Sequence, residues 1–407
     1  MSTPAAIPYR LSAQQLISSH SRAAPRLILA LLTIRWLAGI ADNYGARGLS
    51  EAAAITLLAG LACLLLLRMR LARASIFVLA GLLAWLFVGT LSLVANPDAD
   101  LREAVALLSL LLLYALFSNA ATSHLRSMVA LTGINRFLQG FVVIGAALSL
   151  MQIATGTGFV EIGREAAQRA FGSDVHPVSF AIQMLAALVA LEVIRIKRAA
   201  GFSALHAALL GLGVIAIYLT SARTAWVMAM LTVGYVLVMR GNPARRLGVL
   251  IVLVSLALAL LLQSDRFSDL ASLPLFWANF SAQDVVFDWR YVDNSVSWRI
   301  VNWSFGIQQA MQQPLLGFGP GQSATASQFS LEMHNIFLET VFEGGMFGLA
   351  ALLLTLAGLI RLHRGLPRAT APDRHARTLT NGFAISLLLA VTFSTSFVDQ
   401  LMSFLIY

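Results

Sequence analysis

The sequence predicts an all-α, polytopic integral membrane protein with 11–12 transmembrane helices, and three observations carry that expectation. Of its 407 residues, 58% are hydrophobic and only 12% charged, against about 45–50% and about 25% in a soluble domain. The apolar residues fall in almost uncharged blocks of about 16 to 22, the length that crosses a hydrocarbon core of about 30 Å. Those blocks lack the strict alternation of a membrane barrel strand, so each must satisfy its own backbone as a helix.

In order, the blocks place helices near 27–41, 52–67, 74–95, 104–120, 137–154, 178–194, 202–219, 225–239, 247–262, 336–360 and 379–397, and a twelfth starts near 400 if the last residues form a span. Residues 1–26 contain Arg, Pro and Ser without a continuous apolar core, and they read as a cytoplasmic tail rather than a cleaved signal. The remaining chain shows no repeat and no soluble domain, so 1–407 is expected to be a single membrane-embedded domain. Its one long connection, 263–335, carries four of the seven tryptophans and an amphipathic stretch at 295–313, SVSWRIVNWSFGIQQAMQQ. Long connections in an economical chain are usually functional.

The net charge of +9 does not point to nucleic acid, because the cations sit in short loops between the apolar blocks. With the N-terminus inside, 19 of the 28 Lys and Arg fall in cytoplasmic segments, the bias that sets orientation in the membrane. The 263–335 loop then lies outside. Cys63 is the single cysteine, so neither a disulfide framework nor a cysteine metal site is available. No HExxH, His/Cys cluster or P-loop occurs, so no dedicated metal site, cofactor or nucleotide site is expected.

Candidate functional residues are the charged ones on the outer side. Arg223, in YLTSARTAW, occupies a very short outer hairpin. It is either a forked cation for phosphate oxygens or an arginine that snorkels to mark a span end. Arg290 and Arg299 lie in DWRYVDNSVSWRIVNW. Arg299 neighbours Trp298 and is one helical turn from Trp303, a grouping that suits a diphosphate or a sugar, or else an interfacial aromatic belt. His334 precedes a helix that begins polar and turns apolar, with Asn335, Glu339 and Glu343 following. A histidine at such a mouth is placed to exchange protons near neutral pH, although a lone histidine is more often structural. His176, in FGSDVHPVS, either lines the same mouth or breaks a helix before Pro177.

Three motifs resemble, in order, the signature of the bacterial O-antigen ligase and polymerase superfamily. They are TSAR at 220–223, SWRIVNW at 297–303 followed by PLLGFGPG at 314–321, and MHNIFLETVFEGGMFGLAALLL from Met333. The resemblance covers 218 to 358. It implies a glycosyltransferase that moves a glycan from an undecaprenyl-diphosphate carrier, with lipid A core as acceptor for a ligase or the next repeat unit for a polymerase. It also implies a bacterial inner-membrane location with the site and the 263–335 loop in the periplasm, and membrane lipids but no obligate protein partner. The single long outer loop looks more like a ligase. By the same resemblance His334, Arg223 and Arg299 are the expected catalytic residues, and Arg290, Asn335, Glu339, Trp298 and Trp303 are expected to bind substrate, without a metal. A transporter or flippase is the competing class, but its ionisable residues would sit near mid-bilayer, whereas these cluster at one face. Glu192 and Asp399, near span ends, fit neither scheme.

Overall fold

The computed structural model describes residues 23–43, 53, 55–62, 76–124, 128–157, 159–162, 165–173, 176–240, 244, 248, 297–326, 332–365 and 370–393. The blocks read from the sequence are helices: α1 (Ala23–Asn43), α2 (Ile76–Ala95), α3 (Leu101–His124), α4 (Met128–Thr155), α5 (Pro177–Lys197), α6 (Ala204–Leu219) and α7 (Arg223–Arg240), then α8 (Ser297–Ala310), the short α9 (Gln322–Ala326), α10 (Ile336–Arg364) and α11 (Ala371–Phe393). Five of these, α2, α3, α4, α5 and α10, are long and apolar enough to cross a membrane. This is a multi-pass helical membrane protein. The expected spans at 247–262 and beyond 400, the tail at 1–22, and residues 263–296 of the long loop lie outside the described residues.

Two helices run past their apolar blocks. α4 starts at Met128 rather than near 137: the helix continues through Thr132, Asn135 and Arg136, which interrupt the apolar pattern, and Thr132 accepts a hydrogen bond from Arg198 (2.9 Å). α11 starts at Ala371 rather than near 379. Its entry is a capping box, in which the Asp373 N–H donates to the Thr370 hydroxyl (3.2 Å) and the Thr370 N–H to the Asp373 carboxylate (3.2 Å). The connection after α4 holds a small antiparallel hairpin, β1 (Phe159–Ile162) with β2 (Glu165–Gln168).

Helix α5 is the hub, with most of its length buried against α4, α6, α7 and α11. Helix α2 packs antiparallel on α10 through small residues. Gly81 lies against Thr355, Gly358 against Val78 and Gly344 against Val88, the close backbone approach by which helices associate without a hydrophobic driving force. The bundle has two chemically different ends. Lys197, Arg198, Arg361, Arg364 and Asp373 mark one, where Lys197 pairs with Asp373. The other carries the α2–α3 turn, residues 169–173 and 176, the α6–α7 turn, and residues 314–326 and 332–336.

Helix α10 is broken at Gly345, whose φ of 60° and ψ of −157° interrupt it between its second and third turns. Residues 314–319 lie against the break. Phe318 N–H donates to Phe342 O (2.9 Å) and Gly319 N–H to Glu343 O (3.0 Å), while Met346 N–H donates to Pro314 O (2.8 Å) and Phe347 N–H to Leu315 O (3.3 Å). Ser92 adds hydrogen bonds to Gly317 O (3.2 Å) and Glu343 O (3.3 Å). A Cβ on Gly345 would stand 2.3 Å from the Leu315 carbonyl, and one on Gly317 2.5 Å from Phe342 O. Gly345→Ala is therefore expected to cost about 3 kcal/mol, from left-handed strain and overpacking together. Gly140→Ala, where a Cβ meets nothing within 4 Å, should leave stability unchanged. Thermal unfolding of both variants in detergent checks the pair.

Candidate functional site

The second end of the bundle is assembled around the residues just before α10. Asn335 caps that helix, its side-chain oxygen accepting from Phe337 N–H (3.0 Å) and Leu338 N–H (3.1 Å). Its expected role in substrate contact thus shares the side chain with a structural one. Immediately before it, His334 takes a φ of 52°, a left-handed conformation that L residues adopt only when their surroundings hold them. Helix α8 does the holding. Trp303 donates its indole N–H to Met333 O (2.6 Å) and Asn302 donates to Glu332 O (3.0 Å). Met333 is fully buried with its sulfur in the gap left by Gly306. Trp303, expected to stack on sugar, is committed through its nitrogen to this backbone.

The His334 ring contacts Glu332 O through Nδ1 (3.1 Å). A carbonyl only accepts, so Nδ1 carries the proton and Nε2 has the lone pair. Burial, then the nearby positive charge of Arg299 and the neighbouring His176, depress the imidazole to about 4, against a smaller upward pull from the Glu332 carbonyl. His334 is therefore neutral at physiological pH. Three sequence candidates, His334, Arg299 and His176, share one electrostatic neighbourhood. Arg299 is half-buried on α8, one turn before Trp303. His176 caps α5, accepting from Val178 N–H (3.3 Å) through Nδ1, with Pro177 in the first helical position where no amide is needed. Of the two alternatives read for it from the sequence, the structure shows the helix boundary at Pro177.

Arg223 is the first residue of α7 and is exposed, in a turn where Ser221 has a φ of 52°. That turn is clamped by a residue the sequence reading passed over. Arg169 donates from Nε to Thr220 O (2.9 Å) and from Nη2 to Ser221 O (3.3 Å), and Ala170 N–H donates to Leu219 O (3.0 Å). The segment then runs through Phe171 and Gly172, both donating to the buried Gln152 (3.0 and 2.8 Å), and on to His176. Arg223 and His176 are thus tied to one rigid strip at the His334 end. No sequence spacing signals the Arg169 clamp, because its partners are carbonyls about 50 positions away.

Glu339 and Glu343 are both buried on the first turns of α10. Glu343 accepts from Ser323 N–H (3.3 Å), and its carboxylate also meets the Gly321 amide and the Ser323 hydroxyl. It fixes α9 against the broken helix. Trp298 lies in α8 with its side chain outside the described set, and Arg290 lies outside the described residues altogether. Among the described residues no group of three His, Cys, Asp or Glu is gathered at a single point.

Residues 206–353, from the start of α6 into the second half of α10, match the family model described as O-antigen ligase. The matched stretch, about a third of the chain, is similar to that family. It contains Arg223, Arg299 and His334, and it spans nearly all of the stretch in which the motif resemblance was read. No curated protein and no solved structure matches the chain significantly.

The pKa shift of His334 has a consequence that does not depend on turnover. A histidine depressed from an ordinary 6.5 to about 4 leaves the folded state taking up its proton later than the unfolded chain. Its contribution to stability is complete above about pH 6.5 and is lost as pH falls toward 4. His334→Gln should flatten that limb of the stability–pH curve in detergent, measured by thermal unfolding at several pH values. Trp303→Phe should cost about 1 kcal/mol, the net value of one hydrogen bond.

Proposed function

We propose that this protein is an O-antigen ligase. On this reading it transfers a glycan from undecaprenyl diphosphate to a sugar hydroxyl of the lipid A core, at the periplasmic face of the bacterial inner membrane. One observation carries the reading. The family match spans an imidazole that is neutral at physiological pH, with Nδ1 engaged by the Glu332 carbonyl, and a guanidinium in electrostatic contact with it.

The donor's isoprenoid tail lies in lipid and its diphosphate at the mouth of the bundle. Arg299 and Arg223 bind the phosphate oxygens, with Arg290 as a further candidate. The acceptor hydroxyl attacks the anomeric carbon from the side opposite the diphosphate. The new C–O bond forms as the old one breaks, the hydroxyl proton passes to His334 Nε2, and the electron pair leaves on the diphosphate. The configuration inverts. Fixed guanidinium groups, aimed at the charge that develops on the leaving group, supply the stabilisation that a metal provides elsewhere.

An imidazole at about 4 is neutral but a weak base, and the donor corrects this. A diphosphate seated against Arg299 cancels part of the field that depresses the ring, so His334 gains proton affinity when the donor is bound. Proton transfer and leaving-group departure then reinforce each other. The energy for transfer comes from the activated phosphate bond, consistent with the absence of a nucleotide motif.

His334→Ala is expected to lower transfer by about 10²–10⁴-fold, the usual contribution of a general base, and Arg223→Ala and Arg299→Ala to abolish it, each without loss of membrane insertion. The assay uses purified carrier-linked glycan with core lipid, and wild-type attachment by any of the three variants would sink the mechanism. EDTA should leave the rate unchanged; recovery of lost activity with Mg²⁺ would refute the metal-free scheme. Chain extension on the carrier, with no product on core lipid, would identify a polymerase instead.

A further inference from the structure

A second site lies at the opposite end of the bundle, where α4, α5 and α6 meet. A cavity of about 140 Å³ opens there, lined by Asn135 and Gln139 of α4, Arg195 and Arg198 of α5, and Ser203 and His206 at the start of α6. The charges in it do not cancel. Glu192 accepts from Arg195 through both Nε (2.7 Å) and Nη2 (2.6 Å) and from His206 Nε2 (2.9 Å), so one carboxylate neutralises one guanidinium. This explains the acid near the end of α5 that the sequence left without a role. The third Arg195 nitrogen donates to Ala200 O (2.9 Å), which ties the arginine to the α5–α6 turn.

Arg198 is then the uncompensated cation. One of its nitrogens donates to the uncharged Thr132 hydroxyl (2.9 Å). Its Nε is buried and finds no acceptor among the described residues. A guanidinium with an unsatisfied buried donor, beside side-chain amides that can also donate, is a site for an oxyanion. Its rim is apolar. Phe202 is 62% exposed and Leu205 65% exposed, and the Arg195 guanidinium lies over the Phe202 ring at 5.7 Å. The pocket thus presents a cation at the end of a membrane-spanning helix with two outward-facing apolar side chains beside it.

We propose that this cavity binds the phosphodiester headgroup of an anionic phospholipid, with Arg198 on the phosphate and the acyl chains running past Phe202 and Leu205. Basic pockets between transmembrane helices hold lipid phosphates in this way, and a soluble phosphate would gain nothing from the exposed rim. The proposal does not depend on glycan transfer.

The test uses the full chain purified in detergent, with bound lipid read by native mass spectrometry after addition of phosphatidylglycerol or phosphatidylcholine. Phosphatidylglycerol should be retained about fivefold better, the effect of one basic residue near a charged headgroup. Arg198→Gln, which keeps a donor for Thr132, should remove that preference, and Arg198→Lys should restore most of it. Inorganic phosphate in large excess should not displace the lipid; displacement, with no preference between the two lipids, would assign the cavity to free phosphate and overturn the lipid. Leu205→Asp changes an exposed residue and should weaken retention even if Arg198→Gln fails to fold. Equal retention of both lipids by the wild type, or unchanged preference in the Gln and Asp variants, would overturn the proposal.

Discussion

Four backbone hydrogen bonds between residues 314–319 and the break in α10 are the constraint on which the rest of the structure depends. In an apolar surrounding every amide and carbonyl needs a partner inside the protein, and non-helical backbone survives there only when other backbone satisfies it. Gly345 takes two turns out of register with the remainder of α10. Phe342 O and Glu343 O lose their helical donors, and the amides of Met346 and Phe347 lose their acceptors. The Pro-Leu-Leu-Gly-Phe-Gly segment supplies all four. It can do so because Gly317 lets it approach the Phe342 carbonyl, and because Ser92 and Asn96 of α2 tie down Gly317 O from the other side (3.2 and 2.9 Å). The glycines of both motifs are two halves of one joint.

The spans were legible in the sequence because each is an unbroken apolar block, and the two ends were separable because the cations are sorted between them. The helix starts were less so. Unbroken apolarity locates the middle of a helix, not the turns that extend it past polar residues, so α4, which runs through Thr132, Asn135 and Arg136, begins nine residues early and α11 eight. For α11 the signal was present locally in Thr370 and Asp373, three apart. The kink in α10 was also written in sequence, as Gly344–Gly345, but its meaning required the partner segment. Two glycines in an apolar run read equally well as close helix packing, and Gly344 does pack on Val88.

The candidate site was legible as residue types and not as relations. Arg299 and His334, 35 positions apart, are brought together by α8 folding back on the residues that enter α10. That return is directed by Asn302 and Trp303, whose donors reach main-chain carbonyls 30 positions on. Composition cannot disclose such contacts, because their acceptors belong to every residue alike. This is why Trp303 read as a sugar contact and Arg169 carried no signal of its own. Both are fasteners of backbone, one under His334 and the other under the turn that presents Arg223. Glu192 is a similar case at the far end, where its partner Arg195 was close enough in sequence to be seen but had been assigned wholly to orientation.

The fastening has a consequence for the chemistry. Asn302 donates to Glu332 O, the oxygen that the His334 ring also contacts, and Trp303 to the next carbonyl, Met333 O; Arg299 stands on the same helix one turn before Trp303. The cation and the imidazole are therefore not positioned by independent loops. Arg299 shares its helix with the donors to the Glu332 and Met333 carbonyls. Asn335, the next residue, is locked to the first turn of α10, and that turn is locked through Phe342 and Glu343 to the 314–319 segment. From α8 through His334 to the helix break, hydrogen bonds link each step to the next. A cation held near enough to depress an imidazole needs its tolerance in distance to be small. The continuous chain of backbone contacts meets that need at an end of the bundle where the helices themselves have finished.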